Sequence, residues 1–170
     1  MKTYYGITRI SQLFEMIEDV CEAMKSVNEN VDATKELMIC TAAQETKLGT
    51  LIDRTNYRYG TGIMQIDPIG ITDILRRGSK WIEFCKRRYD IHFDKLHHRE
   101  LETSALLCVI ASRIRYKVVP CPIPSTTEGL WEYYKKYYNS YAGAATRDEY
   151  MKNREWALSL YDRWKAGEDI

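Results

Sequence analysis

A dominant charge sign is what this chain lacks: in 170 residues, 25 Lys and Arg face 24 Asp and Glu, a formal net charge of +1. Nucleic acid and anionic membranes are gathered by strongly basic surfaces, so neither is expected as a partner. No apolar run is long enough to span a bilayer. The opening MKTYYGITRISQLF likewise holds no uninterrupted apolar segment of the kind that directs secretion. Synthesis and folding in the cytoplasm, without a signal peptide and without membrane insertion, are therefore expected. Cys-x-x-Cys pairs are absent, and the five cysteines Cys21, Cys40, Cys85, Cys108 and Cys121 are too widely spaced for a zinc ribbon and odd in number. Five thiols cannot form an all-disulfide framework; in a chain folded in the cytoplasm they are expected to be reduced. The three histidines, His92, His97 and His98, lack a Cys or carboxylate companion set, so no metal site is expected. Gly60 and Gly62 are not followed by the Gly-Lys of a phosphate loop, and no other motif calls for a cofactor. Without repeats or low-complexity tracts, the chain reads as one domain over 1–170.

What is there is helical periodicity. Leu13, Phe14, Ile17, Val20, Cys21 and Met24 recur at i, i+3, i+4, i+7 spacing, which predicts an amphipathic packing helix over 11–27, within an N-terminal unit of residues 1–30. Two further stretches are apolar on nearly every side: 37–43, LMICTAA, and 101–118, which includes LLCVIA. Helices of that kind are buried all round and define a core. Asp32 is the expected cap of the first and Gly49 its expected stop. Asp67-Pro68 opens a short helix to 76, and Ser79 is read as the cap of the next. Arg76, Arg77, Lys80, Lys86, Arg87 and Arg88 read as a solvated basic face. The run VPCPIP at 119–124 ends the second buried helix, and Ser125-Thr-Thr-Glu128 and Thr146-Arg-Asp-Glu149 read as capping boxes for helices over 131–139 and from 150 onward. Residues 165–170 are expected to fray. The sum is a mainly α architecture of about seven helices with little or no strand.

One carboxylate stands where a carboxylate is electrostatically unwelcome. Glu45 lies in the last turn of the buried helix, where the negative end of the helix dipole disfavours an anion by about 0.3–1 kcal/mol. Burial works in the same direction, raising the carboxyl pKa. A carboxyl group protonated near neutral pH suits a general acid that must hand a proton to a departing glycosidic oxygen.

Around Glu45 the chain reads Glu45-Thr46, then Gly49, then Gly60-Thr61-Gly62-Ile63-Met64-Gln65, and much later Tyr137-Tyr138-Asn139. In that order these resemble the Glu-Ser, Gly-x-Met-Gln and Ala-Tyr-Asn motifs of the soluble lytic transglycosylase and goose-type lysozyme superfamily. The resemblance covers 33–150 and is closest to phage-encoded, virion-associated peptidoglycan-degrading members. Thr46 stands where the family usually has Ser, and Tyr137 where it has Ala. The resemblance implies a lysozyme-like single domain that cleaves peptidoglycan glycan strands, with phage virion or tail proteins as further partners. It also implies delivery to the cell wall from the host cytoplasm by a phage particle or a holin. Catalysis would fall to Glu45. Substrate contacts would fall to Thr46, Gly62, Met64 and Gln65, with Tyr138 also positioning Glu45 and Asn139 ordering the local loop. Tyr57 and Tyr59 are added as sugar-stacking candidates, because aromatic faces suit the apolar faces of pyranose rings.

The outcome of the reaction stays open at this level. A conventional glycosidase needs two carboxylates, about 5–5.5 Å apart for retention and about 6.5–9.5 Å for inversion. Asp53, Asp67 and Asp73 lie near the motifs, but each also reads as a loop, cap or surface residue. The family's transglycosylases need only one Glu, acting first as acid and then as base while the sugar's own C6 hydroxyl closes a 1,6-anhydro ring. Transglycosylase, hydrolase with a second Asp, and a non-catalytic phage structural or wall-binding protein keeping the fold are the three readings.

Overall fold

The computed structural model describes residues 2–53, 59–139 and 143–170. Among them seven α-helices carry the fold: α1 (Ile10–Ala23), α2 (Val31–Thr46), α3 (Pro68–Arg77), α4 (Ser79–Tyr89), α5 (Ala105–Lys117), α6 (Thr127–Tyr134) and α7 (Arg147–Lys165). The chain is mainly α, with no sheet among the described residues; its one β feature there is an isolated antiparallel bridge between Thr61 and Ile66.

Helix α2 is the axis. Its sequence leaves no polar stripe, and Leu37, Met38, Ile39, Ala42 and Ala43 are all fully buried, enclosed by α1, α5, α6 and α7. Burying each large aliphatic side chain is worth about 1.5–3 kcal/mol. The one polar residue within this run, Thr41, is satisfied twice. It donates to the carbonyl of Leu37 at 2.8 Å and receives the Tyr116 hydroxyl at 2.7 Å, so no buried donor is orphaned there. Asn30 caps α2 by accepting from the Ala33 amide at 3.0 Å, in place of the expected Asp32, which is exposed in the first turn.

The end of α2 is what builds the site. Lys47 and Leu48 adopt left-handed backbone (φ 51° and 55°) before Gly49 does (φ 80°), so the helix stops two residues earlier than the glycine alone suggests. The Leu48 amide returns to Ala42 and the Lys47 amide to Ala43, both at 3.1 Å, closing the last carbonyls as helix C-caps do. Leu48 is fully buried, and that burial offsets the unfavourable φ.

Several helix boundaries differ from the sequence reading by local chemistry. Gly78, not Ser79, is the N-cap of α4, and Thr126, not Ser125, caps α6 by accepting from the Gly129 amide at 3.2 Å. Thr146 caps α7 and Asp67 caps α3 ahead of Pro68, as expected. The second buried helix starts at Ala105, capped by Ser104, and a short 3-10 turn (His98–Glu102) precedes it. Beyond α6 the chain continues as a π-turn over Lys135–Asn139.

The tail is tied down where fraying was expected. The Ile170 carbonyl accepts from the Ser11 amide at 3.0 Å, Asp169 pairs with Arg9 at 2.9 Å, and Ile170 packs against the core. An otherwise unpaired amide at the start of α1 thereby gains its partner. Opposite this, Glu29 accepts from both Arg113 and Lys117, joining the α1–α2 turn to α5 through a nearly buried ion cluster. No helix among the described residues is long and apolar enough to cross a membrane.

Candidate active site

Glu45 projects from the last turn of α2 into a cleft of about 450 Å³, lined also by Asp53, Tyr59, Gln65, Asp67, Arg115, Tyr138 and Asn139. The Tyr134 hydroxyl donates to Glu45 Oε1 at 2.7 Å. Burial raises the Glu45 pKa from 4.5 to about 7; the Tyr134 hydrogen bond and the Arg115 charge pull it down, and Asp53 pushes it up. Desolvation penalises the charged form more than these two favourable contacts stabilise it, so the carboxyl sits at the edge of protonation at neutral pH.

The loop facing Glu45 is built by two glycines and one strained glutamine. The amides of Thr61 and Ile66 each donate to the other's carbonyl, at 3.1 and 3.0 Å, closing a six-residue turn. Gly62 takes φ 74°, and a Cβ there would lie 2.2 Å from the Leu101 carbonyl oxygen and 2.3 Å from Cys108 Sγ. Glycine is therefore required to seat the turn against the 3-10 turn at Leu101 and against α5 at Cys108. Gln65 adopts φ 48°, and its Nε2 donates to the Gly62 carbonyl at 2.9 Å, so its amide is held along the cleft wall.

The proposed substrate contacts divide. Gln65, Tyr59, Tyr138 and Asn139 line the cleft with Glu45. Tyr59 is 69% exposed, as a stacking platform at a cleft lip would be. Thr46, Gly62 and Met64 do not line it. Thr46 is fully buried, donating to the Ile63 carbonyl at 2.7 Å and accepting from the Gly49 amide at 3.1 Å. It staples the end of α2 to the facing turn, which corrects its assignment as a substrate contact. Met64 is fully buried and contributes its carbonyl to the Tyr138 hydroxyl at 2.7 Å; Gly62 serves packing. Tyr57 falls outside the described residues.

A second correction concerns what holds the acid. The Tyr138 hydroxyl is committed to Met64, and it therefore receives its contact at 2.6 Å from Ser112 Oγ. Tyr134, one turn earlier, supplies the hydrogen bond to Glu45, and the two rings stack with centroids 6.0 Å apart. Tyr138 thus touches the ring that holds Glu45 and the turn that faces it. Asn139 accepts from Lys135 Nζ at 2.9 Å, and the same ammonium reaches the carbonyls of Gly143 and Ala145. Asn139, Gly143 and Ala145 thus share one ammonium.

Arg115 was not among the expected site residues. Its guanidinium lies 4.3 Å from the Tyr138 ring centroid and donates to the Tyr138 carbonyl at 3.2 Å. No carboxylate among the described residues lies within ion-pair distance of it. Of the three candidate second carboxylates, Asp67 Oδ1 is engaged as the α3 cap, accepting from the Gly70 amide at 2.6 Å, and Asp73 pairs with Arg76 and Arg77. Asp53 faces the same cleft as Glu45 and is near enough to perturb it.

The histidines have local partners: His98 Nε2 meets the Ile66 carbonyl at 2.7 Å, His97 caps the 3-10 turn, and His92 lies 3.4 Å from Asp90. Comparison with known protein families, with curated proteins and with solved structures gave no match for this chain. The geometry of the cleft and the motif resemblance are what bear on function.

Proposed function

We propose that this protein cleaves the glycan strands of peptidoglycan as a lytic transglycosylase, with Glu45 as its acid and then its base. The observation that carries the reading is a single carboxyl group at the end of a buried helix, pKa about 7, held by a tyrosine hydroxyl and open to a cleft. In the first step protonated Glu45 donates its proton to the glycosidic oxygen as the C1–O bond breaks. In the second, the Glu45 carboxylate takes the proton of the C6 hydroxyl as that oxygen bonds to C1, leaving a 1,6-anhydro end and restoring the acid. A pKa near 7 suits a group that must serve in both directions. Gln65 and Asn139 supply polar contacts along the walls, and Tyr59 offers a ring to stack on a sugar.

Asp53 supports a second reading. It shares the cleft with Glu45 and lies near enough to raise the Glu45 pKa, and by activating a water it would make the protein a lysozyme-type hydrolase. On the motif resemblance the protein is phage-encoded, made in the host cytoplasm, and acts in the cell-wall compartment as a virion component or after release. A zymogram on purified cell wall tests the activity: the wild type clears it and Glu45→Gln does not. Absence of clearing by the wild type supports a non-catalytic wall-binding protein instead.

A further inference from the structure

The cleft does not end at Glu45. A second depression of about 650 Å³ shares Asp67, Ile69, Arg115, Tyr138 and Asn139 with it and extends along α3 to Arg76 and Arg77. The two are one groove with an electrostatic gradient. Asp67 and Arg115 line both halves; the near half adds Glu45 and Asp53, whereas the far half adds Arg76 and Arg77 against Asp73. Asp67 is already spent on the α3 cap, and Asp73 is shared between Arg76 and Arg77 at 3.1 Å each. Arg76 donates one hydrogen bond to Asp73, and its side chain is 75% exposed. A guanidinium has five N–H donors in a fork that matches a carboxylate. The far half thus offers donors for an anionic group, at a place where a chain bound across Glu45 would continue.

Given the glycan-cleaving activity proposed above, on which this inference rests, we infer that the arginine end of the groove reads the carboxylates of the peptide stems, making charged, peptide-bearing glycan the preferred substrate. Peptide stems branch from the muramic acid residues and carry free carboxylates at neutral pH. A neutral glycan would offer these guanidinium groups no opposite charge beyond that of Asp73. Arg76 is a specificity residue, and Asp73 is an internal competitor that occupies the same donors in the unbound protein.

Initial cleavage rates on purified sacculi, compared with rates on the same sacculi after carbodiimide coupling of the carboxylates to ethanolamine, test this. The coupling removes the charge and leaves the glycan. The wild type is expected to prefer uncapped sacculi by about fivefold, the size of effect that a solvent-accessible charge pair can give. Arg76→Gln should bring that ratio toward one, and Asp73→Asn, which removes the competing charge from Arg76 and Arg77, should raise it. Thermal melts of both variants identify any loss of fold, and the ratio of rates within one protein is insensitive to the amount folded. A ratio unchanged in both variants overturns the subsite while leaving the glycan-cleaving activity standing. Failure of the wild type to cleave either form overturns the activity and the subsite with it.

Discussion

Replacing Glu45 with glutamine should make the protein more stable at alkaline pH, and the size of the effect follows from the site. The folded protein holds the Glu45 pKa at about 7 against 4.5 for the free side chain. Because the folded pKa is raised, the folded state binds the proton more tightly than the unfolded chain. Stability from this group is whole at low pH, declines as pH rises from about 4.5 toward 7, and is lost above 7. Raising the pKa from 4.5 to about 7, at about 1.36 kcal/mol for each tenfold change in proton affinity, corresponds to about 3 kcal/mol of destabilisation with the charged carboxylate buried. Glutamine is close in shape, stays neutral and still offers an oxygen to the Tyr134 hydroxyl. Glu45→Gln should therefore match the wild type near pH 4 and exceed it by about 3 kcal/mol near pH 8, or about 6–12 °C in Tm for a chain of this size. Urea or thermal denaturation of both proteins at the two pH values measures it, and all other titrating groups cancel in the difference. An equal effect at both pH values, or a loss of stability near pH 8, would refute the claim that Glu45 is a desolvated carboxyl.

Two further outcomes follow from neighbouring groups. Tyr134→Phe removes the 2.7 Å hydrogen bond that favours the Glu45 anion, so the pKa should climb further. The alkaline limb of the pH–rate profile should then move to higher pH, with a lower maximum rate from a less well-held acid; an unmoved limb would place the control of Glu45 elsewhere. Among the cysteines, all five are unpaired and four are buried, with burial pushing the thiols of Cys21, Cys40, Cys85 and Cys108 up to about 12. A thiol reagent applied to native protein without reductant should modify exposed Cys121 quickly and the other four only on unfolding, for a total of five; a denatured count of one would reveal two disulfides.

The parts of this site that were legible in the sequence are those set by local pattern. A run that is apolar all round can only be a buried helix, and a carboxylate in its last turn stands out against it. Gly62 was also legible as a constrained position, although only the fold reveals that Leu101 and Cys108 are what constrain it. The partner of Glu45 was not legible. The run EYYKKYYN offers four tyrosines, and a π-turn at Lys135–Asn139 changes the helical register just where the choice between Tyr134 and Tyr138 is made. Thr46 illustrates the opposite error. Its hydroxyl sits beside the acid in sequence, yet helix geometry turns it inward to the Ile63 carbonyl. Arg115 was hidden because an arginine near the end of an apolar helix looks like any basic residue near a C-terminus. The groove it enters is assembled from α3, α5 and the π-turn, which no single stretch of sequence encodes.

Mass spectrometry of the muropeptides left after exhaustive digestion of purified peptidoglycan tests the central claim most directly, since a 1,6-anhydro end is lighter than a reducing end by one water. With Glu45 acting alone and the C6 hydroxyl held beside C1, proximity favours ring closure over attack by bulk water. The wild type should therefore yield anhydro products, and Glu45→Gln should yield none. Reducing ends alone from the wild type would contradict the transglycosylase and assign Asp53 a water to activate, while an unchanged product yield from Glu45→Gln would remove Glu45 from the chemistry.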